Sequence, residues 1–222
     1  GYNGTKTIKT ENLNFDGENR TSALTIIAIG HAENITITNC KFKNLHVWHM
    51  IELNAVNNGR IENCSFENYG NSGSTATEAI QIDAMIGSSC FPWFGNYDNT
   101  ACKFIHIRNN KFSNVGTSCI GNHSFASGVI PQDIFIKDNL FENCSNCITL
   151  KDVNNMSVIN NKAYKCSMFV TLDTASNSCF NIDISNNYFQ GLFISSIDGI
   201  TGENRFVTIS PAGKTGSLEV KK

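Results

Sequence analysis

Apolar and polar residues alternate in short runs along this chain, and the runs recur. The segments are "ITITNCKFKN" from Ile35, "GRIENCSFEN" from Gly59, "IHIRNNKFSN" from Ile105, "IFIKDNLFEN" from Ile134, "MSVINNKAYK" from Met156 and "IDISNNYFQG" from Ile182. A period of two predicts strands with one buried face, and no stretch switches to the 3.6-residue period of a helix. Each copy runs in the same order: an alternating strand, Asn or Cys, one residue, an aromatic, then a turn. The key positions are Cys40, Cys64, Asn110, Asn139, Asn161 and Asn187, spaced by 24, 46, 29, 22 and 26 residues. The 46-residue gap is two units, or one unit carrying a long insertion.

A unit this short cannot bury its own apolar face, so successive units must stack to make a continuous core. The LxxLxL signature of leucine-rich repeats is missing. The pattern therefore predicts an all-β, single-stranded right-handed parallel β-helix of about seven to eight coils. Residues 1–222 read as one domain belonging to a longer chain. Phe42, Phe66, Phe112, Phe141 and Phe189 are expected to stack inside, with Ala163 as the gap. Asn110, Asn139, Asn161 and Asn187 are expected to form an internal amide ladder at a tight turn, with Cys40 and Cys64 in that place in the earlier coils.

A second strand aligns by counting back from those positions: "MIELNA" from Met50, "AIQIDA" from Ala79, "CIGNHS" from Cys119, "CITLKD" from Cys147 and "FVTLDT" from Phe169. Met50, Cys119 and Cys147 fall at a partly buried bend. One outward column runs Glu52, Gln81, Gly121, Thr149, Thr171, and the next Asn54, Asp83, His123, Lys151, Asp173. Strands in successive coils lie about 4.8 Å apart, so His49, Glu52, Asn54, Glu78, Gln81, Asp83, His123 and Lys151 converge on one patch. Gly121 leaves a space in it, as where a ligand approaches backbone. The plainer reading is a solvated sheet face on which His123 pairs with Asp83.

Aromatic residues flank the patch and favour a site. Trp48 stands just before it, and Phe91, Trp93, Phe94 and Tyr97 lie in the insertion 85–102 that leaves its edge. Flat rings beside amides and carboxylates suit a sugar, which offers a C–H face and a hydroxyl edge. Trp48, Trp93 and Tyr97 are the candidate stacking residues, with His49, Asn54, Gln81 and Lys151 as polar substrate contacts. A loop starting at Asn122 is expected to form the other wall of a groove.

Composition narrows the partners. Formal net charge is −2 and only 16% of residues are charged, which excludes a basic nucleic-acid footprint. No stretch is long and apolar enough for membrane insertion. Nine cysteines cannot all pair internally. The lone CxxC of Cys144 and Cys147 has no second pair at zinc spacing, and most of the others behave as small core hydrophobes. Cys90 and Cys102 in the insertion are open to either a disulfide or two free thiols.

The patch reads first as that of a polysaccharide-degrading enzyme, a glycoside hydrolase with paired carboxylates on the outer face of the β-helix, since two carboxyls flanking a glycosidic bond suffice for hydrolysis. Glu52 and Asp83 are diagonal neighbours, about 8 Å apart at Cα, which admits an inverting arrangement. Glu52 or Glu78 is cast as the acid, Asp83 as the base, and His123 as its orienting partner. A lyase would instead use His123 as base and Lys151 to neutralise a uronate, with Asn54 or Gln81 holding the acid group. No cofactor is called for, although Asp83 and Glu78 together suggest calcium weakly. A non-catalytic glycan-binding or receptor-binding module uses the same aromatics, and a structural spike segment uses none of the patch.

The repeats "NITITNCKFKN" and "DIFIKDNLFEN" resemble the pectate-lyase-like right-handed β-helix superfamily over residues 34–190. "HMIELNA", "EAIQIDA", "FPWFGNYD" and "IGNHS" resemble segments of β-helix proteins of bacteriophage tails. The superfamily includes polysaccharide lyases, glycoside hydrolases, uronan epimerases and tailspikes. The resemblance implies a polysaccharide or cell-surface glycan as partner, an extracellular or virion-associated location, and a homotrimer. At the ends, "TENLNFDGENR" from Thr10 reads as an early coil, uncapped or capped by a partner, and "RFVTISPAGKTGSLEVKK" as a final strand and tail.

Overall fold

The computed structural model describes residues 1–222 except 21, 23, 71–77, 124–125, 174–175, 178, 192–204, 211–217 and 221–222. The chain is a right-handed parallel β-helix of about seven turns, with every pairing between its strands parallel. Three sheets run along the axis. In the first, Ile8, Ile35, Gly59, Ile105, Ile134, Met156, Ile182 and Leu218 stand in register. The second aligns Phe15, Phe42, Phe66, Phe112, Phe141, Ala163 and Phe189. The third aligns Ile27, Ile51, Ile80, Ile120, Ile148, Val170 and Val207. The final strand expected at the carboxy end is two strands, Arg205–Ser210 and Leu218–Val220; the remainder of that tail lies outside the described residues.

The phenylalanine column stacks as the repeat requires. Ring centroids are 4.8 Å apart for Phe15–Phe42, 5.1 Å for Phe42–Phe66, 4.8 Å for Phe66–Phe112 and 5.0 Å for Phe112–Phe141. The gap at Ala163 is filled from another sheet. Phe169 turns in from the third sheet, meeting Phe141 edge-on at 6.4 Å and Phe189 at 6.0 Å. Interiors tolerate no void of ring size, so the missing volume is supplied by the nearest strand that points inward.

The corner between the first and second sheets is two residues long in every coil, and the two have separate tasks. The outer residue bends the chain through the left-handed region: Asn12, Asn39, Asn63, Asn109, Asp138, Asn160 and Asn186 all have φ between 54° and 59°. Asn and Asp tolerate that conformation best after Gly. The inner residue makes the ladder. Asn139 Oδ1 accepts from Asn110 N at 3.0 Å and Nδ2 at 3.1 Å, while Asn139 Nδ2 donates to Ile107 O at 2.9 Å and Asn161 Oδ1 at 3.0 Å. Asn161 repeats this on Asn187, and Cys64 N donates to Asn110 Oδ1 at 2.9 Å. Above it, Cys40 N points at Cys64 Sγ.

A second asparagine ladder, outside the helix, joins Asn44, Asn68, Asn114 and Asn143 at the next bend, with side-chain bonds of 2.8–3.2 Å. All four have positive φ. The repeat pattern does not announce them, because an exposed Asn reads as an ordinary surface residue.

Candidate functional site

The third sheet carries the patch, and its register matches the sequence alignment. Glu52 pairs with Gln81 and Asn54 with Asp83, Gln81 with Gly121, Gly121 with Thr149, and Lys151 with Asp173. His123 follows the end of its strand but reaches Asp83 directly. The columns are therefore as expected, but their exposure is not. Glu52 is 2% exposed, and Asn54, Gln81 and Asp83 are fully buried. These residues are buried on the outer side of the sheet, whereas the plainer reading of the sequence is a solvated sheet face.

The cover is the insertion. Ala84 and Ala101 bridge its base, and Met85 and Thr100 bond across it. Phe91 and Met85 pack on Ala55 and Ala28, outside the main core. Gly30 permits this: a Cβ there would stand 2.6 Å from Met85 Cε and 2.9 Å from Phe91 Cε1. With Phe91 as anchor, Trp93 reaches across the sheet and donates from Nε1 to Glu52 Oε2 at 3.2 Å. Its ring lies edge-on to Trp48, centroids 5.4 Å apart, and stays 42% exposed. Tyr97 braces the loop by donating to Phe91 O at 3.2 Å, and its ring faces outward. Trp48 and Trp93 thus stand together, and Tyr97 belongs to the outer side of the loop.

No disulfide ties this loop. Cys102 is fully buried, donating to Leu53 O at 3.4 Å and accepting from Val56 N at 3.3 Å, whereas Cys90 is half-buried beside Ser89. The first thiol is committed to the core and the second to the loop, so they do not meet.

Burial sets the electrostatics. Glu52 is pushed up to about 7, chiefly by burial, against the donors Trp93 and Thr25. Thr25 Oγ1 reaches Glu52 Oε2 at 3.2 Å and Asn54 Nδ2 reaches Oε1 at 3.3 Å. Glu78 is also pushed up to about 7 by burial. His49 is driven down to about 4 because it is desolvated. The 3.8 Å approach of His49 Nδ1 to Glu78 Oε2 is therefore no ion pair; neutral His49 donates from Nδ1 to Glu78 O at 2.8 Å.

Asp83, like Glu52, accepts three hydrogen bonds. Its Oδ1 accepts from His123 N at 2.9 Å, and its Oδ2 lies 2.6 Å from His123 Nδ1 and also takes the Gln81 amide. Both donors converge on one oxygen. The 2.7 Å between Gln81 Nε2 and His123 Nδ1 records that shared acceptor. The hydrogen bond to Asp83 raises the His123 pKa. With Nδ1 held, Nε2 is the free nitrogen of a ring that remains one-third exposed.

Gly121 has a different reason from the one expected. A Cβ there would lie 2.5 Å from Glu78 Cγ and 2.8 Å from the Thr149 carbonyl oxygen. The space is filled by Glu78, so the glycine seats a side chain of this chain. Gly121→Ala is expected to cost about 1–3 kcal/mol, read as a lowered denaturant midpoint, because the Thr149 backbone cannot yield as a flexible side chain can.

Beside these buried residues lies an open groove of about 400 Å³, lined by Glu78, Ser118, Asn122, His123, Asn146, Thr149 and Lys151 among others. Asn122 brackets Lys151, donating to its carbonyl at 2.8 Å and accepting from its N–H at 2.7 Å. Ser118 Oγ and Thr149 Oγ1 are 3.2 Å apart. The outward columns do not include Thr25, Ser118 or Asn146, and Asn122 is expected only as the start of a loop; carrying the position of Glu78 into the next two coils leads to Ser118 and Asn146, which are in register. The expected second wall starts at Asn122, and its residues 124–125 lie outside the described residues. Among the described residues no three of His, Cys, Asp and Glu converge on a metal position. Asp83, considered for calcium, is taken up by His123 and Gln81. No helix among the described residues is long and apolar enough to cross a membrane.

A solved structure has this architecture: the crystal structure of PfbA, a surface adhesin of Streptococcus pneumoniae, with a TM-score of 0.63 over 92% of this chain. The shared feature is the fold. Identity is 17%, and the match spans 55% of that chain, so this chain covers about half its length. No family model matches the sequence. No curated protein matches it at a significant level.

Proposed function

We propose that this β-helix is a glycan-binding module of adhesion type, acting outside the cell, with its ligand in the groove from Glu78 to Lys151. One observation carries the reading: Glu52 and Asp83, the pair that hydrolysis would need, are both buried, Glu52 against Trp93 and Asp83 against His123 and Gln81, while the adjoining groove is open. Hydroxyls and amides from Ser118, Thr149, Asn122 and Asn146 match sugar hydroxyls. Lys151 and His123 set positive charge at the rim, which favours an acidic glycan. The architecture shared with a surface adhesin supports the same reading.

Titration calorimetry with oligouronates and with neutral oligosaccharides of equal length tests it. The acidic series is expected to bind more tightly, and Lys151→Ala to weaken it about tenfold, the effect of one lost charge contact. Equal affinity for both series, or none for either, would sink the proposal.

A second reading rests on Glu78, an acid pushed up to about 7 at the edge of the groove that also holds His123. A protonated acid beside an Asp-directed histidine is equipped for proton transfer, as a lyase or hydrolase requires. His123 Nε2 would take the proton beside the uronate carboxylate while Lys151 neutralises that group. New reducing ends or the ultraviolet absorbance of unsaturated products, abolished in Glu78→Gln, would establish this reading over binding alone.

A further inference from the structure

Neither reading uses the sulfur gathered at the corner between the second and third sheets. Cys119, Cys144, Cys147 and Cys166 are each at most 2% exposed. Asn146 pairs with Ser118 and Ile148 with Ile120, so Cys147 stacks on Cys119. Ser167 N donates to Cys144 O at 3.1 Å, which sets Cys166 beside Cys144 in the following coil. The Cys144 thiol meets those of Cys119 and Cys166, and the Cys147 thiol also reaches Cys166. The expected partly buried bend at Cys119 and Cys147 is in fact fully buried. Packing alone does not call for sulfur here, because the same columns hold Tyr69, Val115 and Phe169.

We propose that Cys144 and Cys166 are a cross-linking pair, forming a disulfide between successive coils when the chain folds in an oxidising medium, while Cys119 and Cys147 stay thiols. Neighbouring strands place Cα atoms about 4.8 Å apart, inside the range of about 4.4–6.8 Å that a disulfide spans. Strict ladder geometry points paired side chains the same way. The ladder that joins these two strands runs through Leu140–Lys162, Phe141–Ala163 and Glu142–Tyr164 and stops short of Cys144 and Cys166, and each cysteine also adjoins a register shift against its other neighbouring strand. Cys147 is less suited, with Cys119 on one side of its column and Phe169 on the other.

The chemistry is thiol–disulfide exchange with a small-molecule disulfide such as oxidised glutathione. Either cysteine can start the exchange as its thiolate while the corner is still open. With Cys166 first, its thiolate attacks one glutathione sulfur and releases one glutathione thiolate, which takes the Cys144 proton. The Cys144 thiolate then attacks the Cys166 sulfur of the mixed disulfide and releases the second glutathione. Two protein thiols are oxidised and one disulfide is reduced to two thiols. Since the corner is sealed in the finished helix, exchange takes place during folding. The inference stands apart from the glycan reading.

The full chain, unfolded and reduced, is refolded with oxidised and reduced glutathione, then denatured, alkylated with iodoacetamide and weighed intact. Seven alkyl groups are expected on the nine cysteines, with a peptide linking Cys144 to Cys166. Cys166→Ala and Cys144→Ala should each take a group on every remaining cysteine. Nine groups, or a linked peptide joining any other pair, overturns the proposal. The peptide map of the unaltered chain decides the matter even where a variant fails to refold.

Discussion

Asn139→Leu is expected to lower stability by about 3–5 kcal/mol, although leucine is nearly the same size and the site is wholly internal. The loss comes from what the asparagine serves. Its Oδ1 accepts the Asn110 N–H and its Nδ2 fills the Ile107 carbonyl, both buried between coils. Leucine would leave each without a partner, at about 1–3 kcal/mol apiece. Asn139→Cys should cost distinctly less, because Cys64 occupies this place one coil from Asn110 and its sulfur faces the Cys40 N–H at 3.5 Å. Denaturant midpoints of the two variants provide the comparison. Equal losses would show that the turn is held by its left-handed Asp138 and packing, with the amide ladder incidental.

The second large effect is a stability maximum displaced to acid. Glu52 and Glu78 titrate at about 7 in the folded chain against an ordinary 4.5. As pH rises from 4.5 to 7, the unfolded chain releases protons that the folded chain keeps. Stability is therefore full below 4.5 and is lost through 7, by on the order of 3 kcal/mol for each acid. His123, also raised, adds to the loss above its ordinary value of 6.5. His49 works in the opposite direction. Held near 4, it refuses a proton that the unfolded chain accepts from 6.5 downward, so its contribution falls as the medium turns acid. His106, lowered chiefly by burial, works with His49, but it is the less buried of the two, so the two acids keep the balance and the maximum is expected near pH 5. Denaturant midpoints from pH 4 to 8 test this, and a Glu52→Gln, Glu78→Gln chain should flatten the alkaline limb. A midpoint that climbs steadily from pH 5 to 8 would show that both acids are ionised in the folded protein.

What the sequence discloses follows from which corners are constant. Between the first and second sheets every coil turns in two residues, so Asn39–Cys40, Asn109–Asn110 and Asn186–Asn187 keep the same distance to the phenylalanine that follows. The coil repeat, the aromatic stack, the inner ladder and the outward columns of the third sheet are all legible from that constancy. The burial of Glu52 and Asp83 is not. It depends on an insertion without periodicity, and nothing in "FPWFGNYD" says that Phe91 will anchor it under Gly30 while Trp93 reaches back to Glu52. Phe169 is a parallel case: its inward turn answers a hole left by Ala163 in another sheet, which no single repeat contains.

The same constancy has a further consequence. Among the described residues length varies only at the two other corners, and these border the third sheet: residues 84–102 on one side and 46–50 on the other. The side opposite them is a fixed spine along which coils are counted, and the third sheet is a shelf between adjustable rims. Exchanging a rim alters what the shelf holds without shifting a single rung. In this chain one rim has folded over half the shelf, leaving the strip from Glu78 to Lys151 as the part still open to a partner.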